Sequence, residues 1–309
     1  MGNSGSKLAL KVGYISRPKP GKEINEDKCS FLASRSSGDG LFIVADGIGG
    51  HRAGEIASQI AVDVIRNYIV GKLFPEAIKR TSPIYQVNKL VKVPNDNDDT
   101  KPLDEEEKKE IPSAQENIFE TVKLTPSELE SKELKVVIKA IEKANATIYN
   151  YAQNNLEAMG MGSTATVVLI KDRIAYIGNV GDSRTYFISN DNRILRLTKD
   201  HSLVERLVDI GQLSPQEAFN FPQRNVIYRS LGHSPDIQVD NFIQLFRPGA
   251  KFILCSDGLS EVLSDEQILE VVSSTPDPRK ACQKLLYIAD KLGRNDDFTV
   301  IIVDITTGE

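Results

Sequence analysis

Carboxylate side chains stand at the ends of strongly apolar segments at three places in the sequence. Asp46 follows the run LFIVA, Asp257 comes shortly after FILC, and Asp296 lies just before FTVIIV. Apolar strands pack in the core, so acids at their ends can converge at one rim of a sheet. Carboxylates gathered there repel one another and resist ionisation unless a cation compensates them. Oxygen ligands suit Mg²⁺ or Mn²⁺ rather than zinc or copper, so the pattern predicts a divalent metal site.

A fourth acidic pair, Glu26-Asp27, precedes another apolar segment and extends the pattern. Each Asp-Gly pair also has a simpler explanation, because Asp-Gly is a common turn dipeptide. Its repetition after two similar apolar runs favours the metal site. Asp46-Gly47 opens a glycine-rich segment in which the peptide oxygen of Gly47 can itself be a ligand. This segment lacks the Lys-Ser/Thr of a nucleotide-binding loop.

The composition is that of a globular protein, and it excludes several classes of function. The 309 residues include 38 Lys+Arg, 43 Asp+Glu, three His and three Cys, with a net charge of −5. Such a chain has no basic excess for nucleic acid and too few histidines for a His-rich zinc site. We find no apolar run long enough for a membrane helix and no secretory signal. Three widely spaced cysteines suit a reducing compartment, so we expect a cytoplasmic protein.

The elements that position these acids follow from hydrophobic periodicity. A stripe of apolar residues predicts a helix over 55–69, and the capping box at Thr125 predicts a longer one extending past Ala152. Residues 164–189 read as a meander of three antiparallel strands, and later strands are predicted over 242–246, 251–255 and 299–303. Strands and helices do not alternate strictly, which indicates an α+β fold with antiparallel sheets.

An acidic, proline-containing insertion interrupts this pattern at residues 75–125. Its segment NDNDDTKPLDEEEKKE carries eight acids and three bases. This composition predicts a partly mobile surface segment, with partner binding as the alternative.

The ordered motifs resemble the metal-dependent protein phosphatases of the protein phosphatase 2C (PPM) family, in particular its bacterial-type branch. The matching segments are NED (25–27), VADGIGGHRAGEIAS (44–58), MGSTATVVL (161–169), IGNVGDSRTYFI (177–188), LTKDHSLVERLVDIGQLSPQEA (197–218), VIYRSLG (226–232), FILCSDGLSEVLSD (252–265) and DDFTVIIVD (296–304). They span nearly the whole chain apart from the insertion, so one domain over 1–309 is expected, with its catalytic core at about 11–305.

The resemblance implies a central β-sandwich of two antiparallel sheets flanked by helices on both sides. It also implies a centre of two Mn²⁺ or Mg²⁺ ions that hydrolyses phosphoserine and phosphothreonine in proteins through a bridging hydroxide. By motif, Asp46 would bridge the ions, the Gly47 carbonyl would bind one of them, and Asp257 and Asp296 would bind the other. Glu26 and Asp27 would hold the water molecules around the ions.

The chain departs from the family pattern at several positions. Asp297 stands where the family usually has Asn, which would add charge at the metals or share a proton with Asp296. The phosphate-binding arginine is replaced by Lys22, with Arg17 as the alternative. Because of these departures, the alternative function is that of a weakly active binding or scaffold protein on the same fold. A third, more remote hypothesis is a metal-dependent hydrolase that acts on a small phosphoester.

Other departures concern accessory groups. Some relatives carry a general-acid histidine where this chain has Ile48, and His51 is the nearest substitute. Glu157 is the candidate ligand for a third metal ion. His201 is expected to cap or pack against the helix that follows it, within a flap of short helices over 200–235 near the active site.

The N-terminus and the partners complete the prediction. Met1-Gly2 followed by Ser6 fits an N-myristoylation pattern, and a single acyl chain on Gly2 would give a weak, reversible membrane tether. The expected partners are phosphoprotein substrates, with neither nucleic acid nor an integral membrane segment, and the protein is expected to be a monomer.

Overall fold

Two antiparallel five-stranded sheets lie at the centre of the computed structural model, which describes residues 8–34, 37–49, 53–75, 131–219 and 221–308. The first sheet has the strand order β1 (Leu8–Arg17), β12 (Phe298–Thr307), β11 (Lys251–Cys255), β8 (Arg184–Ile188), β9 (Ile194–Arg196). The second has the order β10 (Asp240–Leu245), β7 (Ile174–Val180), β6 (Ala165–Lys171), β3 (Gly40–Ala45), β2 (Lys28–Ala33). Two short strands, β4 (Gly47–Ile48) and β5 (Gly162–Ser163), form a separate ribbon.

Each sheet is covered on its outer face by helices. The described helices are α1 (Ala53–Leu73), α2 (Lys132–Asn154), α3 (Leu203–Asp209), α4 (Pro215–Phe219), α5 (Asp257–Ser260), α6 (Asp265–Ser274) and α7 (Pro278–Lys291), with a single 3₁₀ turn at Leu156–Ala158. Helices α1 and α2 pack on the second sheet, and α6 and α7 pack on the first. This four-layer arrangement confirms the predicted α+β sandwich.

The apolar runs that end in acids are strands buried on both faces. In β3, Phe42 and Val44 pack between the sheets, and Leu41 and Ile43 pack against the helices. A strand covered on both sides needs a continuous apolar sequence rather than an alternating one. Those strands therefore carry the acids to a fixed position at the rim.

The predicted three-stranded meander is wrong in its last strand. Strands β6 and β7 pair as expected, but β8 pairs with β11 and β9 in the other sheet. The chain crosses between the sheets at Gly181, which has φ of +102°. Two hydroxyl pairs fix the crossing: Thr164 Oγ1 lies 2.7 Å from Ser183 Oγ, and Thr166 Oγ1 lies 2.8 Å from Thr185 Oγ1. The crossing also delivers Asp182 to the rim.

Serine side chains cap the N-termini of three described helices. Ser264 and Gln267 form a capping box at α6, and Ser202 caps α3. Helix α2 begins at Lys132 with Ser131 as its N-cap, later than the start predicted at Thr125. Thr125 itself lies outside the described residues.

Several predicted features also lie outside the described residues, namely Gly2, His51 and positions 76–125 of the acidic insertion. Among the helices that are described, none combines the length and the apolarity required to cross a membrane.

Candidate active site

The three strand-end acids lie at the rim where the two sheets meet. Asp46 follows β3 in one sheet, whereas Asp257 follows β11 and Asp296 precedes β12 in the other. The backbone of Asp46 is fixed from both sides by Thr164. The Asp46 amide donates to Thr164 Oγ1 at 2.9 Å, and the Thr164 amide donates to the Asp46 carbonyl at 2.8 Å.

Neither glycine of the Asp-Gly pairs has the positive φ that a tight turn would require. Gly47 lies in β4 and Gly258 in α5. A Cβ on Gly47 would collide with the carbonyl of Gly54, and one on Gly258 would collide with the carbonyl of Asp297. The glycines therefore allow backbones to meet at the rim, and the common-turn explanation of the two pairs does not apply.

The loop before β2 adds two more acids. Asp27 is 2% exposed, and Ser256 Oγ donates to its Oδ2 at 2.6 Å. The carbonyl of Glu26 accepts a hydrogen bond from Ser58 Oγ in α1 at 2.5 Å. A sixth acid, Asp182, is 7% exposed in the sheet crossing. Asp27, Asp46, Asp182, Asp257 and Asp296 together form what we call the acidic rim.

The acids of this rim oppose one another's ionisation. Burial, followed by the charges of Asp27 and Asp257, raises the pKa of Asp46 well above its ordinary value. Burial and then the charge of Asp182 raise the pKa of Asp257 well above its ordinary value. Burial is also the main cause that raises the pKa values of Asp27 and Asp182 to about 7. Without a cation, the rim thus cannot ionise fully near neutral pH.

Several carboxylate oxygens here have no hydrogen-bond donor. Buried side-chain oxygens without a partner in the described part of the protein include Glu26 Oε1, Asp27 Oδ1, Asp182 Oδ1 and Asp257 Oδ1. Buried polar atoms are normally paired, so this group needs an explanation. Oxygens of this kind fit a hard divalent cation such as Mg²⁺ or Mn²⁺.

The rim does not enclose an ion with side chains alone. Within the described residues, no three His, Cys, Asp or Glu side chains stand close enough together to form a complete metal site. A cation here would therefore also require backbone oxygens or water as ligands, as Mg²⁺ commonly does.

A pocket of about 660 Å³ opens onto the acidic rim. Its lining contains the predicted site residues Lys22, Glu26, Asp46, Gly47, Asp257 and Asp296. The segment predicted as a flap contributes Asn225, Ile227, Tyr228, Arg229, Ser230 and His233. The pocket thus combines an acidic floor with basic and aromatic side chains around it.

The candidate phosphate-binding residues lie in different places. Lys22 lines the pocket, and its Nζ lies 3.3 Å from Glu26 Oε2. This hydrogen bond with Glu26 raises the pKa of Lys22. Arg17 is not among the lining residues, and its Nη1 donates to the neighbouring Ser16 carbonyl at 3.0 Å. Lys19, which sequence reasoning did not single out, also lines the pocket.

Asp297 is not among the pocket-lining residues and is 4% exposed. Its Oδ1 accepts the Lys19 amide at 2.6 Å, and its Oδ2 accepts the Glu26 amide at 2.5 Å. Both oxygens therefore hold the loop between β1 and β2.

Two further predicted residues lie apart from the pocket. Glu157 is exposed in the 3₁₀ turn and does not contribute to the pocket lining. His201 is buried, and its Nδ1 accepts the Gly181 amide at 3.0 Å while its Nε2 lies 3.2 Å from Asp240 Oδ2. His201 therefore supports the sheet crossing beside Asp182, rather than only the helix after it.

Comparisons with known proteins agree with this geometry. The family model for protein phosphatase 2C matches residues 21–286. The serine/threonine phosphatase stp of Listeria innocua is 30% identical over 281 residues, which cover 91% of this chain and 90% of that protein. The crystal structure of serine/threonine phosphatase Stp1 from Staphylococcus aureus has a TM-score of 0.70 at 25% identity, covering 98% of this chain and 99% of that one.

A third similar structure is the catalytic domain of the serine/threonine protein phosphatase PstP in complex with two manganese ions. It has a TM-score of 0.68 at 25% identity and covers 97% of this chain and all of that one.

Proposed function

Because the chain belongs to the protein phosphatase 2C family and is therefore a protein phosphatase, we propose that it removes phosphate from phosphoserine and phosphothreonine in proteins at a centre of two divalent cations. The observation that carries this proposal is the group of unpaired carboxylate oxygens on Glu26, Asp27, Asp182 and Asp257 beside an open pocket. The names of the similar phosphatases and the manganese complex of PstP support the substrate class and the metal.

In this proposal the strand ends supply the cation ligands. Asp46 lies at the rim where the two sheets meet and would be a ligand of both ions. The Gly47 carbonyl would be a further ligand of one ion. Asp257 and Asp296 would hold the other ion. When bound, two such cations neutralise the phosphate dianion and lower the pKa of a water molecule that attacks phosphorus.

Other side chains orient this arrangement. Ser256 holds Asp27 through its Oδ2, and Lys22 holds Glu26 through its Oε2, so the second carboxylate oxygen of each acid has a preferred direction. These oxygens would accept hydrogen bonds from water around the ions. Lys22 and Lys19 would attract the substrate phosphate from the pocket wall, with Arg17 as the alternative to Lys22.

A cysteine nucleophile does not fit this protein. Burial raises the pKa of Cys255 to about 12, and that of Cys29 to about 12 as well. A thiol with so high a pKa stays protonated at neutral pH and is a poor nucleophile. The proposed attack is therefore assigned to water rather than to a cysteine that would form a phosphocysteine intermediate.

In this proposal Asp182 would be a ligand of a third ion, in place of Glu157, which the sequence suggested for that role. Asp182 has an unpaired buried oxygen, and its charge contributes to the raised pKa of Asp257. Glu157 is exposed and lies outside the pocket lining.

The substrates in this proposal are phosphoproteins, and the protein acts as a monomer. A cytoplasmic location and acylation of Gly2 remain predictions from the sequence.

A manganese titration of peptide hydrolysis tests the function. Phosphate release from a phosphoserine peptide, a phosphothreonine peptide and p-nitrophenyl phosphate is measured after EDTA treatment and on adding Mn²⁺ or Mg²⁺. We expect peptide turnover that disappears in EDTA and returns with metal. Full turnover in EDTA contradicts the metal mechanism. Metal binding without any turnover supports the alternative of a binding or scaffold protein. Turnover of p-nitrophenyl phosphate alone supports a small phosphoester as the substrate.

A further inference from the structure

The loop between β1 and β2 carries much of the pocket wall but has little regular structure of its own. It runs from Pro18 to Asp27 and contributes Lys19, Lys22 and Glu26 to the pocket. Its internal support includes a hydrogen bond from the Lys22 amide to the Lys19 carbonyl at 2.9 Å. Such a segment needs an external anchor if its side chains are to stay in one position.

Asp297 supplies anchors at both ends of this loop. The Lys19 amide and the Glu26 amide each donate to a different oxygen of the same carboxylate, at 2.6 and 2.5 Å. The Asp297 amide itself donates to Asp296 Oδ1 at 2.8 Å. One residue thus connects the loop to the candidate metal ligand next to it in sequence.

The chemistry of this contact requires a carboxylate. Asp offers an acceptor at both oxygens, whereas Asn offers one acceptor and one NH₂ donor. An Asn at this position would place its NH₂ against one of the two backbone N–H donors. That position would lose one hydrogen bond and gain a donor–donor contact in a buried site.

We infer that Asp297 is a positioning residue that holds the β1–β2 loop, and with it Lys19, Lys22 and Glu26, against the catalytic pocket. This inference rests on the proposed function for its consequence in turnover, but the anchoring itself is independent of it. It assigns Asp297 a contact with the loop instead of an additional negative charge directed at the metals.

The test compares Asp297→Asn with Asp304→Asn. Asp304 lies on β12, which begins immediately after Asp297. It is 8% exposed and pairs with Lys251 at 2.8 Å, so it resembles Asp297 in burial without a hydrogen bond or ion pair to the described residues of the loop. Amide hydrogen exchange of Lys19 and Glu26 is measured in metal-free protein. Peptide kcat and KM are measured separately with Mn²⁺.

We expect both amides to be protected in the unaltered protein and to exchange at least about tenfold faster in Asp297→Asn. We expect kcat/KM to fall about tenfold or more in that variant, with Asp304→Asn remaining within about twofold of the unaltered protein. Adding excess Mn²⁺ should not restore kcat/KM in Asp297→Asn, because the cation ligands themselves are retained.

Several results would overturn the inference. Unprotected Lys19 and Glu26 amides in the unaltered protein would do so without any variant, which covers the case in which Asp297→Asn does not fold. Lost turnover with unchanged exchange would indicate that Asp297 acts directly on the metals. Faster exchange with unchanged kcat/KM would show that the loop need not be held. If the unaltered protein has no phosphatase activity, the proposed function fails while the exchange experiment still decides the anchoring.

Discussion

Two groups of inward-facing acids in the described part of the protein differ in the cations opposite them. In the first, Arg184 donates to both carboxylate oxygens of Asp200 at 3.0, 3.0 and 2.6 Å, and Arg196 binds Glu205 at 2.6 Å. We call this group the paired cluster. In the acidic rim, burial and then the neighbouring carboxylates raise the pKa values of Asp46 and Asp257, and several carboxylate oxygens have no donor among the described residues.

This difference distinguishes charged groups that stabilise the fold from charged groups that are arranged to bind a ligand. The paired cluster joins β8, β9 and α3 and satisfies its own charges. The acidic rim lowers the stability of the fold, because buried like charges are unfavourable without a partner. Local destabilisation of this kind is typical of a site whose partner is a ligand.

The largest expected effect separates the two groups through activity. Asp46→Asn and Asp257→Asn should each lower kcat by about 10³-fold or more, or roughly 4 kcal/mol of transition-state stabilisation. The same substitutions remove a buried charge, so the melting temperature in EDTA should stay equal or rise. Phosphopeptide kinetics and thermal unfolding in EDTA measure both effects.

Two results would contradict the prediction for the acidic rim. Retained turnover in Asp46→Asn would remove this residue from the metal centre. A large loss of melting temperature in EDTA would show that the rim carboxylates stabilise the fold, as those of the paired cluster do.

The next effect concerns the paired cluster. Arg184→Met leaves Asp200 buried, and the cation that remains within 4 Å of it among the described residues is Arg196, whose Nη1 lies 3.8 Å from Asp200 Oδ2. Leaving such a charge unpaired should destabilise the protein by about 3–5 kcal/mol. Turnover per folded molecule should change by no more than about threefold, because Arg184 does not line the pocket.

Urea unfolding monitored by circular dichroism measures this loss. The matched control is the double variant Arg184→Met with Asp200→Leu, which should recover part of the stability because neither charge remains buried alone. An unaltered unfolding midpoint for Arg184→Met would mean that the ion pair does not support the fold.

The two groups also differ in how readily the sequence reveals them. Asp46, Asp257 and Asp296 were predictable because each adjoins a strand whose continuous apolar sequence indicates burial on both faces. Asp182 was missed because the turn-like Gly181-Asp182-Ser183 suggested a meander, and only the sheet crossing brings it to the rim. Whether a strand pairs with its neighbour or crosses to another sheet depends on packing between distant segments.

The role of Asp297 shows the same limit. Its two donors, the Lys19 and Glu26 amides, are 278 and 271 residues away along the chain. Motif spacing identifies the acid, but backbone donors carry no sequence signature. The contact could therefore be found only in three dimensions.

The smallest expected effect, taken per pH unit, is the pH dependence of stability in metal-free protein. Asp27 and Asp182 have folded pKa values of about 7 against an ordinary 3.8. The folded state thus binds more protons than the unfolded state between these values. Its stability is greatest below the ordinary pKa and is lost as the pH rises through the folded pKa.

Raising the pH from about 5 to 8 in EDTA should therefore lower the stability of the folded state. Each of these two carboxyl groups should contribute a loss of roughly 1 kcal/mol per pH unit until the pH passes its folded pKa. Saturating Mn²⁺ should flatten this dependence, because a bound cation stabilises the ionised acids. Melting temperatures at several pH values, with EDTA or Mn²⁺, measure it, and Asp182→Asn should reduce the slope. A metal-free melting temperature that instead rises over this range would show that the rim ionises freely, and the contrast with the paired cluster would then disappear.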